Sequence, residues 1–158
     1  MKIVVILLLL CSAIAATARL GETSAEIAKR YGPIQKRHEG ELAGTNTWAG
    51  LYKYKDYYVS VTFSNNLSVA EMVVPQESRP VERDEFEKLL KEIGGDAGAW
   101  KADPSEGRDF FTNSVTKAVA LYSSLPSKKR SLLVMSAAYS RTLTKADRQK
   151  KGQRTDGF

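Results

Sequence analysis

The chain has 158 residues, 24 Lys plus Arg against 18 Asp plus Glu, a net charge of +6, one cysteine and one histidine. That length holds one domain with a real core. A single cysteine excludes an internal disulfide, and one cysteine with one histidine excludes a structural zinc set of the usual kind.

Residues 1–18 read as a secretory leader. Met1-Lys2 gives a positive start, residues 3–10 are an unbroken apolar run, and Ala16-Thr17-Ala18 is a small-x-small cleavage site. The run is shorter than the ~20 residues a membrane-spanning helix needs. Leu10, not a small residue, precedes Cys11, so the pattern favours cleavage after Ala18 over lipidation at the cysteine. The mature chain then has 140 residues, a charge of +5 and no thiol. Most of that charge lies in residues 141–158, which read as a basic, irregular tail beyond a single domain over residues 19–140. The basicity belongs to the tail of an exported chain. It therefore argues for weak electrostatic contact with a membrane or cell-wall polymer, and nucleic acid is not the expected partner.

The stretch "TSAEIAKRYGP" predicts a short helix. Thr23 and Glu26 form a capping box, Ile27, Ala28 and Tyr31 share a face, and Gly32-Pro33 end it. The charged run that follows, with Lys36, Arg37 and His38, reads as a loop without regular structure.

Residues 47–75 predict three antiparallel strands joined at Lys55-Asp56 and Asn65-Asn66. With two-residue turns, Tyr54 meets Tyr57, Tyr52 meets Val59, Gly50 meets Val61 and Trp48 meets Phe63. Across the second turn, Val61 meets Ala70, Val59 meets Met72 and Tyr57 meets Val74. Paired residues share a face. One face then collects Trp48, Tyr52, Tyr54, Tyr57, Val59, Val61, Phe63, Ala70, Met72 and Val74. Lys53, Ser60, Thr62 and Glu71 fall on the other, together with Leu51, Tyr58, Val69 and Val73. Of the six aromatics between Trp48 and Phe63, five fall on the first face, which favours core packing over ligand binding.

"RDEFEKLLKEIGG" is amphipathic, with Phe86, Leu89, Leu90 and Ile93 on one face and Gly94-Gly95 at its end. Trp100 opens a short strand, and a hairpin is expected around Asn113-Ser114. The apolar run of residues 130–140 fits a strand or a helix, with the strand preferred because Pro126 and two lysines precede it. The expected fold class is α+β: an antiparallel β-meander sheet with two helices packed on one face, the order suggesting two helix-then-sheet units.

The positions Gly21, Thr23, Ile27, Tyr31 and Gly32 resemble the opening motif, near "RLGET…RYG.P", of small exported bacterial proteins. The motif is also similar to that of outer-membrane assembly lipoproteins of the SmpA/OmlA type and of β-lactamase inhibitor protein-like α+β domains. Here Pro33 follows Gly32 directly instead of one residue later. The resemblance implies a binding or scaffold role and carries over no catalytic residue.

The residues themselves offer little chemistry. His38 lies in a basic run, as a solvated histidine would, and not beside a nucleophile. Asp103, Ser105 and Asp109 have calcium-like oxygen spacing, but Arg108 stands where an EF-hand loop needs glycine, so a Pro-containing turn is the reading. Asn66-Leu67-Ser68 is a formal glycosylation sequon placed in a tight turn. No catalytic, cofactor-binding or metal-binding residue is singled out, and no cofactor is expected. The leading expectation is an exported, non-enzymatic domain that binds a protein or an envelope component. Its contact surface would be an apolar patch of Leu51, Tyr58, Val69 and Val73. The alternative is a small envelope hydrolase working through carboxylates that the pattern does not single out.

Overall fold

Thr23 starts the first helix, α1 (Ser24–Tyr31), as the capping box requires. Its hydroxyl accepts from the Glu26 N–H at 3.4 Å, and its own N–H donates to Glu26 Oε2 at 2.8 Å. Ile27 and Tyr31 are buried, and Gly32 ends the helix at a φ of +86°. This computed structural model describes residues 19–40, 46–77, 79, 81–95, 99–103, 109–124 and 130–155. The expected leader with Cys11 therefore lies outside the described residues, as do Ser105 and Arg108 of the calcium-like stretch and Pro126.

The charged run after α1 is a strand, β1 (Lys36–Glu39), where the sequence reading had a loop. All four residues are exposed, so no apolar alternation marks the strand. It exists because β2 (Thr47–Tyr54) offers it a free edge, with His38 opposite Ala49 and Lys36 opposite Leu51. A short, charged edge strand of this kind also resists pairing with other chains.

β2, β3 (Tyr57–Ser64) and β4 (Leu67–Pro75) form the expected meander. Lys55, Asn65 and Asn66 take φ values of +52°, +50° and +64° at the two turns. The β2–β3 register has Tyr54 opposite Tyr57, Tyr52 opposite Val59, Gly50 opposite Val61 and Trp48 opposite Phe63, as the turn predicts. The β3–β4 register does not hold along its length. Ser64 meets Leu67 and Phe63 meets Ser68, but a bulge then shifts the pairing so that Thr62 meets Ala70, Val61 meets Glu71 and Val59 meets Val73. Beyond the bulge every side chain of β4 changes face. Glu71 and Val73 are buried, and Met72 and Val74 are half-buried on the opposite face.

α2 (Arg83–Gly94) buries the predicted Phe86, Leu89, Leu90 and Ile93. Gly95 follows at a φ of +79°. Three strands come next: β5 (Trp100–Ala102), β6 (Phe110–Asn113) and β7 (Val119–Ser124). The β6–β7 turn is wider than a two-residue Asn-Ser turn. Asn113 Oδ1 holds it by accepting from the N–H groups of Val115 and Thr116, both at 2.9 Å.

The ambiguous apolar run is both candidates in succession. β8 (Arg130–Met135) ends at Ser136, whose hydroxyl accepts from the Tyr139 N–H at 3.2 Å and starts α3 (Ala137–Thr155). The helix takes in residues 141–155, which the sequence reading had assigned to an irregular tail.

All eight strands join one antiparallel sheet in the order β1-β2-β3-β4-β8-β7-β6-β5. The first helix and four strands thus meet the second helix and four strands at the β4–β8 seam, where Glu71 faces Val134 and Val73 faces Leu132. The fold is mixed α+β, with three helices among the described residues instead of two. The main core joins Ile27 and Tyr31 of α1 and the buried residues of α2 to Trp48, Tyr52, Val59, Val61, Phe63, Val73, Tyr122, Leu132 and Val134 of the sheet. A smaller cluster of Ala70, Val119 and Met135 packs with Tyr139 and Leu143 of α3.

Candidate functional site

The face of the sheet that α3 partly covers is the outer face. Register places one row of side chains across it, from Lys36 through Leu51, Ser60, Met72, Leu133 and Leu121 to Phe110. A second row begins Lys53, Tyr58, Val74. Leu133, Leu121 and Phe110 pack beside α3 in the smaller cluster. Leu51, Met72 and Val74 are half-buried and Tyr58 is 41 % exposed. These four form an apolar patch on a central part of a sheet, with exposed Lys36 and Lys53 at its margin.

Of the four residues expected there, the structure brings two together. Leu51 and Tyr58 share the patch. Val69 is the extra residue at the bulge, half-buried, and its carbonyl accepts from the Ser136 N–H at 2.8 Å. Val73 is fully buried in the main core and leaves the contact surface, and Tyr58 faces Val74 in its place. Sequence reasoning missed Met72 and Val74 for the same reason: a one-residue bulge exchanges their face. The only sequence signal was that "VAEMVVP" is apolar on both alternations.

The bulge also places Glu71 in the core with no exposure at all. It accepts from the Tyr31 hydroxyl at 2.6 Å and from Arg30 Nη2 at 2.8 Å, and Arg30 also pairs with Glu22. Burial pushes the Glu71 carboxyl above the usual carboxylate range, against the pull of Arg30 and Tyr31. Burial also pushes the Tyr31 hydroxyl up, and the Glu71 charge adds to it. Burial opposes the charge on Arg30, but Glu71 and its neighbours hold the guanidinium pKa above its ordinary value. This network is enclosed between α1 and the sheet, where it fixes the helix in place.

Two more carboxylates tie α2 to the meander. Glu85 accepts from Arg79 at 2.7 and 2.8 Å and from the Tyr57 hydroxyl. The Arg79 hydrogen bonds hold its carboxyl down at about 2. Glu92 accepts from Lys55 at 2.7 Å and from the Tyr54 hydroxyl at 2.6 Å, and its pKa is lowered by these two partners.

At one end of the sheet lies an open hollow of about 440 Å³, lined by Leu20, Ser64, Asn65, Leu67, Val69, Thr116, Ala118 and Ser136 among others. It brings together the β3–β4 turn, the β6–β7 turn, the segment before α1 and the residue before α3. The sequon serine, Ser68, is buried here, its hydroxyl accepting from the N–H groups of Gly21 and Glu22 at 3.0 and 3.1 Å. His38 is exposed on the edge strand β1. Among the described residues no group of three or more His, Cys, Asp or Glu could hold a metal ion.

No family model and no curated protein matches the chain. Among solved structures it is similar to a cysteine-rich secretory protein from Staphylococcus aureus subsp. aureus Mu50, at 11 % sequence identity and a TM-score of 0.43. The similarity covers 77 % of this chain and 46 % of the staphylococcal one, so this chain spans less than half of that protein's length.

Proposed function

We propose that the chain is an exported binding domain that engages a partner protein on the outer face of its sheet. The observation behind this reading is the patch of Leu51, Tyr58, Met72 and Val74. It is apolar, partly exposed and set on hydrogen-bonded strands, while α1 and α2 back the sheet from the opposite face. A contiguous apolar surface on a rigid support is the usual form of a contact site. Tyr58 supplies the aromatic anchor that such sites favour, and Lys36 and Lys53 supply a charged rim. Export rests on the leader pattern of residues 1–18.

The test is site-specific photo-crosslinking in the native host. A crosslinker at Tyr58 should yield one discrete adduct, and one at the exposed Lys88 of α2 should not. Equal adducts at both positions, or none at Tyr58, would refute the reading. The intact mass of the recovered protein tests export separately, with Arg19 as the expected first residue.

A further inference from the structure

We propose that the end of the sheet around the β3–β4 and β6–β7 turns is a second surface, which docks on an anionic lipid membrane. This goes beyond the protein-binding reading and uses none of its residues. Leu67 and Val115 are exposed by 45 % and 72 %. They stand at the tips of two hairpins far apart in sequence, and the fold brings both hairpins to the same hollow. Leu20 adds a third apolar side chain to its wall, and none of the residues lining it is acidic.

One cation borders these apolar tips, and others lie on the helix that starts in the wall of the hollow. Lys117, exposed at a φ of +59°, sits in the same turn as Val115 and donates to the Ser114 carbonyl at 2.8 Å. α3 starts from Ser136 in the wall of the hollow and carries Arg141 in its second turn and Lys145 one turn later. Arg141 and Lys145 are exposed and lie beside each other along a shallow recess with Ser140 and Thr144. No residue of α3 from 137 to 147 is fully buried, whereas α1 buries Ile27 and Tyr31 and α2 buries Phe86, Leu89, Leu90 and Ile93.

Aliphatic side chains at protruding turns beside a basic helix suit a lipid interface. The apolar tips enter below the headgroups while the cations meet the phosphates. Nucleic acid would call for aromatic stacking or base-reading groups in place of isolated aliphatic tips. No helix among the described residues is long and apolar enough to cross a membrane, so the contact proposed is peripheral.

The experiment is vesicle flotation with the protein recovered from its host, using phosphatidylglycerol-containing and pure phosphatidylcholine vesicles at low and high salt. Two double variants accompany it, Leu67→Ser with Val115→Ser and Arg141→Glu with Lys145→Glu. All four positions are exposed, and thermal melts confirm that each variant folds. Binding should require the anionic lipid and weaken with salt. A cation at the surface contributes roughly fivefold, so the loss of two should make the charge variant bind at least roughly 25-fold more weakly. The apolar variant should lose a similar factor. Equal binding to neutral vesicles with no effect of either variant would mean non-specific adsorption away from this surface, and would overturn the proposal. Loss in the charge variant alone, with full competition by soluble polyphosphate, would mean a plain polyanion contact and would overturn it too.

Discussion

Glu71→Ala is the most demanding test of the core. The wild-type carboxylate is fully buried, accepts from Tyr31 at 2.6 Å and Arg30 at 2.8 Å, and sits beside the β4–β8 seam. Removing it leaves the Tyr31 hydroxyl without its acceptor, which costs about 1–3 kcal/mol. Arg30 keeps Glu22 but loses its buried partner, and breaking a buried ion pair from one side costs about 3–5 kcal/mol in all. Because Glu22 still compensates part of the charge, we expect a loss of about 4 kcal/mol. For a chain of this size that lowers Tm by about 10 °C. Glu71→Gln, which keeps the volume, should lose about 2 kcal/mol. The paired replacement Arg30→Met with Glu71→Met should recover most of the loss, since buried ion pairs often exchange for apolar packing at little net cost. Chemical denaturation of Glu71→Met, Arg30→Met and the double variant gives the coupling energy, expected to exceed ~2 kcal/mol. A loss under about 1 kcal/mol for Glu71→Ala, or strict additivity with Arg30→Met, would refute the network as a single unit.

Glu85 sets an acid limit on stability. Its pKa is about 2 in the folded protein against an ordinary 4.5. Its contribution is therefore complete above the ordinary value and is lost as pH falls towards about 2. Glu85→Gln should flatten the acid side of a stability–pH profile and leave the alkaline side unchanged. At Gly94 an added Cβ would lie 2.9 Å from the Trp100 ring. Gly94→Ala should cost about 1–3 kcal/mol by overpacking, despite alanine's better helix propensity, and should shift Trp fluorescence. Asn66→Val, at a φ of +64°, should cost ~1–2 kcal/mol in the same denaturation assay. Tyr58→Ala should leave stability within about 0.5 kcal/mol while removing capture of the partner in a pull-down.

The legible parts of the fold were those decided within one or two neighbouring elements. The capping box at Thr23, the four-residue apolar face of α2 and the Asn65-Asn66 turn each follow from spacing alone. The β2–β3 register followed as well, because a two-residue turn leaves one pairing. The illegible parts depended on a partner distant in sequence. Lys36–Glu39 carries no strand pattern and becomes a strand only against β2. Residues 130–155 could not be divided without Ser136, which donates its N–H to the bulged Val69 carbonyl and caps α3 with its hydroxyl. The patch was half legible, since Leu51 and Tyr58 lie before the bulge and Met72 and Val74 lie after it.

By itself, then, the sequence determined the α+β class and the meander with its turns. Those rest on local sterics and on apolar periodicity, which act over a few residues. Only the tertiary structure decided which face of β4 looks inward. Apolar periodicity would send Ala70, Met72 and Val74 to the core. The fold sends Glu71 and Val73 there instead, because Arg30 and Tyr31, forty residues away, give the buried carboxylate the partners it cannot do without.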